Sequence, residues 1–195
     1  MLIGLTGGIA SGKSTFCRLL LESGQFTFFD ADSCVHQLLS SDAEVIANIQ
    51  REFSQPTNKP LDRAILREMV FADSAKRVCL EAILHPPVRK RWQTQAEECQ
   101  LLGRNFLADI PLLFETSAAG SFDATVVVAA EASTQRARMA MRGLGEPMID
   151  AMLASQWPIG QKIALADHVI WNDGSEAGLR RQASLLLQQI LPRAA

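Results

Sequence analysis

Scarcity is the first thing to read in this chain, because each scarcity removes a class of function. Net charge is nearly absent: 19 Lys and Arg stand against 21 Asp and Glu, for a formal charge of −2. With no basic excess, a polyanion such as nucleic acid is not an expected partner, and positive charge for any phosphate must be local. The four cysteines, Cys17, Cys34, Cys79 and Cys99, are scattered without a C-x-x-C pair. Three lie in apparently helical, half-apolar settings, as free thiols of a reducing compartment do. No stretch approaches the roughly 20 apolar residues needed to cross a bilayer. The first apolar run is too short, and lacks the basic flank, for a secretory signal, so a cytoplasmic location is expected. His36, His85 and His168 have no ligand spacing, and no Ser-His-Asp order stands out. A metal site built from protein ligands alone is therefore not expected. Repeats and low-complexity tracts are missing too. What remains is 195 residues, 48% of them apolar, enough for one well-cored domain with a lid or insertion.

What is present is concentrated near the amino end. Residues 7–14 read Gly7-Gly8-Ile9-Ala10-Ser11-Gly12-Lys13-Ser14, the G-x-x-x-x-G-K-S pattern of a phosphate-binding loop. Its glycines let backbone N–H groups converge on an anion, Lys13 can reach the outer phosphates, and the Ser14 hydroxyl can hold Mg²⁺. Leu2-Ile3-Gly4-Leu5 before it has the length of a buried strand. Phe16, Cys17, Leu19, Leu20 and Leu21 after it have helical spacing, closed by Gly24. Strand, glycine loop and helix together place a helix N-terminus against the phosphates.

Further apolar runs at Phe26–Phe29, Asn105–Ala108, Ala124–Ala130 and His168–Trp171 predict four more strands, separated by helical patterns. Alternation of this kind predicts an α/β fold: a three-layer P-loop NTPase architecture on a five-stranded parallel sheet with right-handed crossovers. Residues 42–102 carry little strand signal and predict a helical insertion. Within it Asp73-Ser74 supplies N-cap chemistry, and one helical pattern stops at His85-Pro86-Pro87 and resumes through Trp92. Helical pattern from Ser133 to about Ala166 carries Arg136, Arg138 and Arg142 on its surface. The expected division is a single domain with a core (about 1–40, 103–135 and 167–195), a helical insertion (about 41–102) and a further helical segment (about 136–166); the family resemblance given below implies that these are the core, substrate-binding insertion and lid of a P-loop kinase.

Phosphoryl transfer needs alignment, charge neutralisation and a proton acceptor. Asp30 and Asp32 follow the second strand. In an extended segment i and i+2 share a face, so one can serve as base while the other sits near magnesium or fixes the loop; a helix N-cap is the competing role for either. Arg138 and Arg142, four apart on a helix, share a face and can clamp moving phosphate charge; a solvated helix face is the alternative. Asp109 ends the third strand, where a Walker B carboxylate would stand and contact Mg²⁺, or where a turn or cap residue would. Asn58-Lys59-Pro60-Leu61-Asp62 puts its acid one residue too late for a guanine motif, and no D-x-x-G follows the third strand, so a GTPase switch is disfavoured.

Longer blocks add a resemblance. Leu5–Thr15, Asp30-Ala31-Asp32 with His36, Leu61-Asp62-Arg63 with Val70-Phe71, Leu80–Pro86, and Asp109-Ile110-Pro111-Leu112-Leu113-Phe114-Glu115 are similar to the dephospho-coenzyme A kinases. Gln156, Lys162, Ala166-Asp167 and Asn172 continue the likeness over nearly the whole chain. The resemblance implies ATP-dependent phosphorylation of the ribose 3′-hydroxyl of dephospho-CoA, the last step of coenzyme A synthesis, with Mg²⁺ on the nucleotide. It implies Asp32 as general base; Lys13, Arg138 and Arg142 as catalytic cations; Gly8, residues 10–15 (Ala10, Ser11, Gly12, Lys13, Ser14, Thr15) and Asn172 at the nucleotide; and Arg63, His85, Leu112, Leu113 and Glu115 at the acceptor. ATP and dephospho-CoA are the implied partners, with no nucleic acid or membrane, in a monomer or small homo-oligomer.

Two departures carry expectations. Ala10 replaces the usual glycine and is expected to keep negative φ. Arg142-Gly143-Leu144-Gly145 lacks the acid that commonly follows the second arginine, which leaves the lid geometry open. A nucleoside-monophosphate-type kinase is the rival enzyme reading, against which the 109–115 block speaks. A nucleotide-dependent regulator without turnover is the rival of another class, and it has no use for an acid pair at 30 and 32.

Overall fold

The computed structural model describes residues 1–191. Its parallel sheet comprises β1 (Leu2–Gly7), β2 (Phe26–Asp30), β3 (Asn105–Asp109), β4 (Ala124–Ala129) and β5 (His168–Trp171), in the order β2-β3-β1-β4-β5. β1 is central and pairs in parallel with β3, in the register Ile3 opposite Leu107, and with β4, in the register Leu5 opposite Val126. All six residues of β1 and all six of β4 are buried. Apart from Thr6 and Thr125, whose hydroxyls are hydrogen-bonded, both strands lack polar side chains, because a parallel sheet is covered on its two faces. The helices are α1 (Lys13–Leu21), α2 (Ala31–Ser41), α3 (Ala43–Glu52), α4 (Arg63–Ala72), α5 (Ser74–Leu101), α6 (Ala132–Met141), α7 (Glu146–Ala154), α8 (Ile159–Leu165) and α9 (Glu176–Ile190).

The chain divides into two compact units. One comprises Met1–Phe29 with the chain from Ala96 on; the other is Asp30–Gln95. In the first, Phe16 and Leu20 of α1 and Leu179 and Leu186 of α9 pack with Ile3, Leu5, Val126 and Val128 of the sheet. Asp167 locks the entry to β5: its carboxylate accepts from the Thr125 hydroxyl at 2.7 Å and the Thr125 N–H at 2.8 Å. Those two donors hold the carboxyl below its ordinary value. In the second unit aspartates start the helices. Asp42 accepts from Val45 N, Asp62 from Ala64 N and Ile65 N, and Asp73 from Ala75 N. Each cap satisfies N–H groups that a helix start leaves open.

All five expected strands form. Two helical stretches differ from the sequence reading. The pattern broken at His85-Pro86-Pro87 is one helix, α5, running through both prolines. Pro86 and Pro87 supply no N–H to the carbonyls of Ala82 and Ile83, so the helix continues with those acceptors freed. Conversely, the single stretch from Ser133 to Ala166 is three helices. Gly143, at φ +82°, turns the chain out of α6, and Pro158 stands immediately before α8. Arg136 straps α6 to α7 through ion pairs with Glu146, at 2.8 Å, and Asp150.

Candidate active site

β1 delivers the chain to the glycine loop at the carboxyl edge of the sheet. Gly8 N–H donates to the Val128 carbonyl at 3.4 Å, and Ser11 N–H to the Gly8 carbonyl at 3.1 Å. Gly12 then takes φ +91° and α1 begins at Lys13; no side chain caps that start and no acid lies in its first turn. Helices α2, α3, α4 and α9 all have a capping side chain. The starts of α6 and α8 are likewise uncapped and free of acids in the first turn, but at α1 the open amides and the dipole stand beside a glycine loop and an ammonium, a combination suited to an anion. The Lys13 ammonium is ion-paired with Asp109, at the end of β3. Ser14 is exposed. Ser11 is fully buried, and its hydroxyl has no partner among the described residues.

Ala10 departs from expectation: its φ is +57°, in the left-handed region, not negative. The loop's path demands that conformation, and an alanine bears it at a cost of roughly 1–2 kcal/mol.

Two side chains from distant elements brace this loop. Arg138 on α6 donates to the Ala10 carbonyl at 3.1 Å and to the Asn172 carbonyl at 2.7 Å. Asn172, just past β5, donates its Nδ2 to the Ser11 carbonyl at 2.8 Å. Arg138 is therefore not a solvated surface residue. Arg142, one turn on, follows the end of α6 and is exposed, so the two arginines are not placed alike. Gln135 is a loop neighbour that sequence reasoning missed: a Cβ at Gly8 would overlap its amide. The signal was available, since Gln135 stands three residues before Arg138 on the same helical face.

The segment after β3 is tied down by Lys162, a residue of the family likeness whose role the sequence left unassigned. The Pro111 carbonyl accepts from Thr6 Oγ1 at 2.8 Å and from Lys162 Nζ at 2.9 Å. Lys162 is fully buried and lies 2.8 Å from Glu115 Oε1. Leu113 is fully buried, at the position where a side chain on Gly4 would meet it, while Leu112 is half-buried.

In the second unit the acid pair does not share an extended face. Asp30 ends β2 and caps α2, accepting from Asp32 N at 2.9 Å and from Ser33 Oγ at 2.7 Å. Asp32 lies in the first turn of α2 and is exposed. The chain turns helical at Ala31, so the spacing of two no longer aligns the carboxylates. Arg63, at the start of α4, donates to Ser40 Oγ at 2.7 Å and to the His36 carbonyl at 3.3 Å, joining α4 to α2. His85 is half-buried on α5. A cleft of about 780 Å³ opens beside α3 and α5, with Asp42, Glu44, Asn48, Lys90, Arg91 and Thr94 among its walls. Burial pushes the Cys34 thiol up, with the nearby Arg91 guanidinium pulling the other way.

Among the described residues no group of three or more His, Cys, Asp or Glu is placed to hold a metal ion. The donors beside the phosphate loop are oxygens, the Ser14 hydroxyl and the Asp109 carboxylate. Hard oxygen donors so few in number fit a magnesium ion that arrives on phosphates and keeps most of its other ligands.

The sequence model of the family described as CoaE, dephospho-CoA kinase, matches residues 1–178. The dephospho-CoA kinase of Symbiobacterium thermophilum is 41% identical over 186 residues, 93% of this chain and 77% of that protein. The structure of the dephospho-CoA kinase from Campylobacter jejuni superposes with a TM-score of 0.66 at 28% identity, covering 97% of this chain and 96% of that one. Shikimate kinase from Acinetobacter baumannii, at 18% identity and a TM-score of 0.54 over 97% and 92% of the two chains, shares the fold.

Proposed function

From the premise that this chain belongs to the dephospho-CoA kinase family, a phosphotransferase family of the last step of coenzyme A synthesis, we propose how its own residues carry the reaction. The observation that carries the reading is the uncapped, acid-free start of α1 beside Lys13. Its amides and ammonium hold the polyphosphate of ATP, and Arg138 and Asn172 keep the loop in shape for it. Lys13 exchanges part of its contact with Asp109 for the outer phosphates. Ser14, with Asp109 as a second candidate, would hold a magnesium ion carried in on the nucleotide, and the chemistry that ion would supply is neutralisation of phosphate charge.

The acceptor is the ribose 3′-hydroxyl of dephospho-CoA. Its oxygen bonds to the γ-phosphorus as the bond to the bridging oxygen breaks, and ADP departs. Asp32 takes the hydroxyl proton. With Asp30 committed to capping, Asp32 is the carboxylate of the pair left free for that role. Lys13, Arg138 and, on closure, Arg142 stabilise the charge on the moving group. Arg63, His85, Leu112, Leu113 and Glu115 hold the acceptor. Residues 41–102 serve as the acceptor region and residues 136–166 as a lid on the core. A cytoplasmic monomer or small homo-oligomer, acting on no nucleic acid, fits a near-neutral chain in which no described helix is long and apolar enough to span a membrane.

Purified protein with ATP, Mg²⁺ and dephospho-CoA should form ADP and CoA in equal amounts, read by a coupled assay and by mass. Turnover on a nucleoside monophosphate with none on dephospho-CoA would overturn the reading.

A further inference from the structure

Lysine is seldom fully removed from water, yet Lys162 on α8 has no exposed surface. Its ammonium is held by Glu115 Oε1 at 2.8 Å and the Pro111 carbonyl at 2.9 Å. Each partner is itself shared. The Pro111 carbonyl also accepts from Thr6 Oγ1, immediately before the first glycine of the phosphate loop. Glu115 Oε1 also accepts from the backbone N–H of Trp157, at 3.3 Å, in the turn leading to α8. Four stretches of chain thus converge on one ammonium and its two partners: the end of β1, the segment after β3, the turn before α8, and α8 itself. The remaining carboxylate oxygen, Glu115 Oε2, is buried and has no hydrogen-bond partner among the described residues. Buried polar atoms nearly always have one, so a donor from outside the chain is the natural complement.

We propose that Lys162 is a positioning residue for the acceptor. It fixes the rotation of Glu115 so that Oε2 accepts a hydrogen bond from an N–H or O–H of the acceptor. It also keeps residues 111–115 in register with the root of the phosphate loop. Lys162 touches no reacting atom and acts through Glu115 and Pro111. The inference rests on the acceptor role proposed for Glu115 above.

The test is steady-state kinetics with ATP and dephospho-CoA varied separately, alongside calorimetric ATP binding, on wild type, Lys162→Met, Lys162→Arg and Glu115→Gln. Loss of one charge-assisted hydrogen bond to the acceptor corresponds to about tenfold or more in its KM. Lys162→Met should show that rise, with KM and Kd for ATP within about threefold of wild type. Lys162→Arg should recover most of it, because a guanidinium can donate to both oxygens. Glu115→Gln leaves Lys162 in place. Two donors face Oε1, so the amide oxygen must take that side and the NH2 falls where the acceptor's donor would bind; acceptor KM should rise by a similar factor. Acceptor and ATP constants rising together, or an arginine variant no better than methionine, would overturn the proposal. Should Lys162→Met not fold, Glu115→Gln decides alone: an unchanged acceptor KM refutes it. If wild type makes no CoA, the reading of the reaction has failed instead, and that is seen before any variant is compared.

Discussion

Gly12→Ala tests the loop where its geometry is least forgiving. Gly12 has φ +91°, and a Cβ there would overlap Nδ2 of Asn172. Two costs follow. A non-glycine residue in the left-handed region is disfavoured by roughly 1–2 kcal/mol. Displacing the Asn172 amide also breaks its 2.8 Å bond to the Ser11 carbonyl, and leaving a buried acceptor unpaired costs about 1–3 kcal/mol. Alanine stiffens the unfolded chain and returns about 0.4–1 kcal/mol. A net loss of about 1–4.6 kcal/mol corresponds, for a protein of this size, to a Tm lowered by roughly 2–18 °C. Thermal unfolding followed by circular dichroism reads that shift, and calorimetry should show weakened ATP binding, because Asn172 also carries the carbonyl that Arg138 grips. Ala10→Gly is the internal control at the loop's other left-handed position. Relief of strain there roughly offsets the added unfolded-state freedom, so Tm should hold or rise slightly. A Gly12→Ala protein melting within about 1 °C of wild type, with unaltered ATP affinity, would refute the loop geometry and the bracing role of Asn172 together.

Asp32→Asn should lower kcat by roughly 10²–10⁴-fold with little change in ATP affinity; unchanged kcat would remove Asp32 as proton acceptor. Lys13→Ala should cut turnover by about 10²-fold or more and also lower Tm, because Asp109 is left without the ammonium it pairs with; near-normal kinetics would contradict the phosphate-loop assignment. Asp167 supplies a pH test. Its folded value lies below the ordinary 3.8, so its contribution is full above that value and is lost as pH falls through the lowered one. The stability gap between wild type and Asp167→Asn should therefore be constant near neutrality and close in acid. A gap that widened on acidification would show the sign to be wrong.

Local pattern made much of this protein legible. Leu2–Leu5 and Val126–Val128 announced the central strands because strands covered on both faces are apolar throughout, and shorter apolar runs announced the edge strands β2 and β5, which are only partly buried. The glycine loop, Lys13, Ser14 and the apolar spacing of α1 announced an anion-binding helix start because loop, dipole and charge are all encoded within a dozen residues. Helix ends were less legible. Two prolines did not stop α5, and Gly143 with Pro158 cut one helical pattern into three, since the outcome turns on packing and on where freed carbonyls lie.

The sequence by itself therefore determined the fold class, the strand–glycine-loop–helix unit at Leu2–Leu21 and, through the 109–115 block, the family. Only the tertiary structure decided the rest. It put Ala10 in a left-handed conformation and divided the acid pair into a cap at Asp30 and a free carboxylate at Asp32. It set Arg138 on the carbonyls of Ala10 and Asn172 and buried Lys162 against Glu115. The physical reason is distance along the chain. Arg138 and Ala10 are 128 residues apart, and Ser11 and Asn172 are 161 apart. Periodicity and capping report neighbours within a turn or a strand, whereas these contacts exist only once the sheet has brought β1, β3, β4 and β5 side by side.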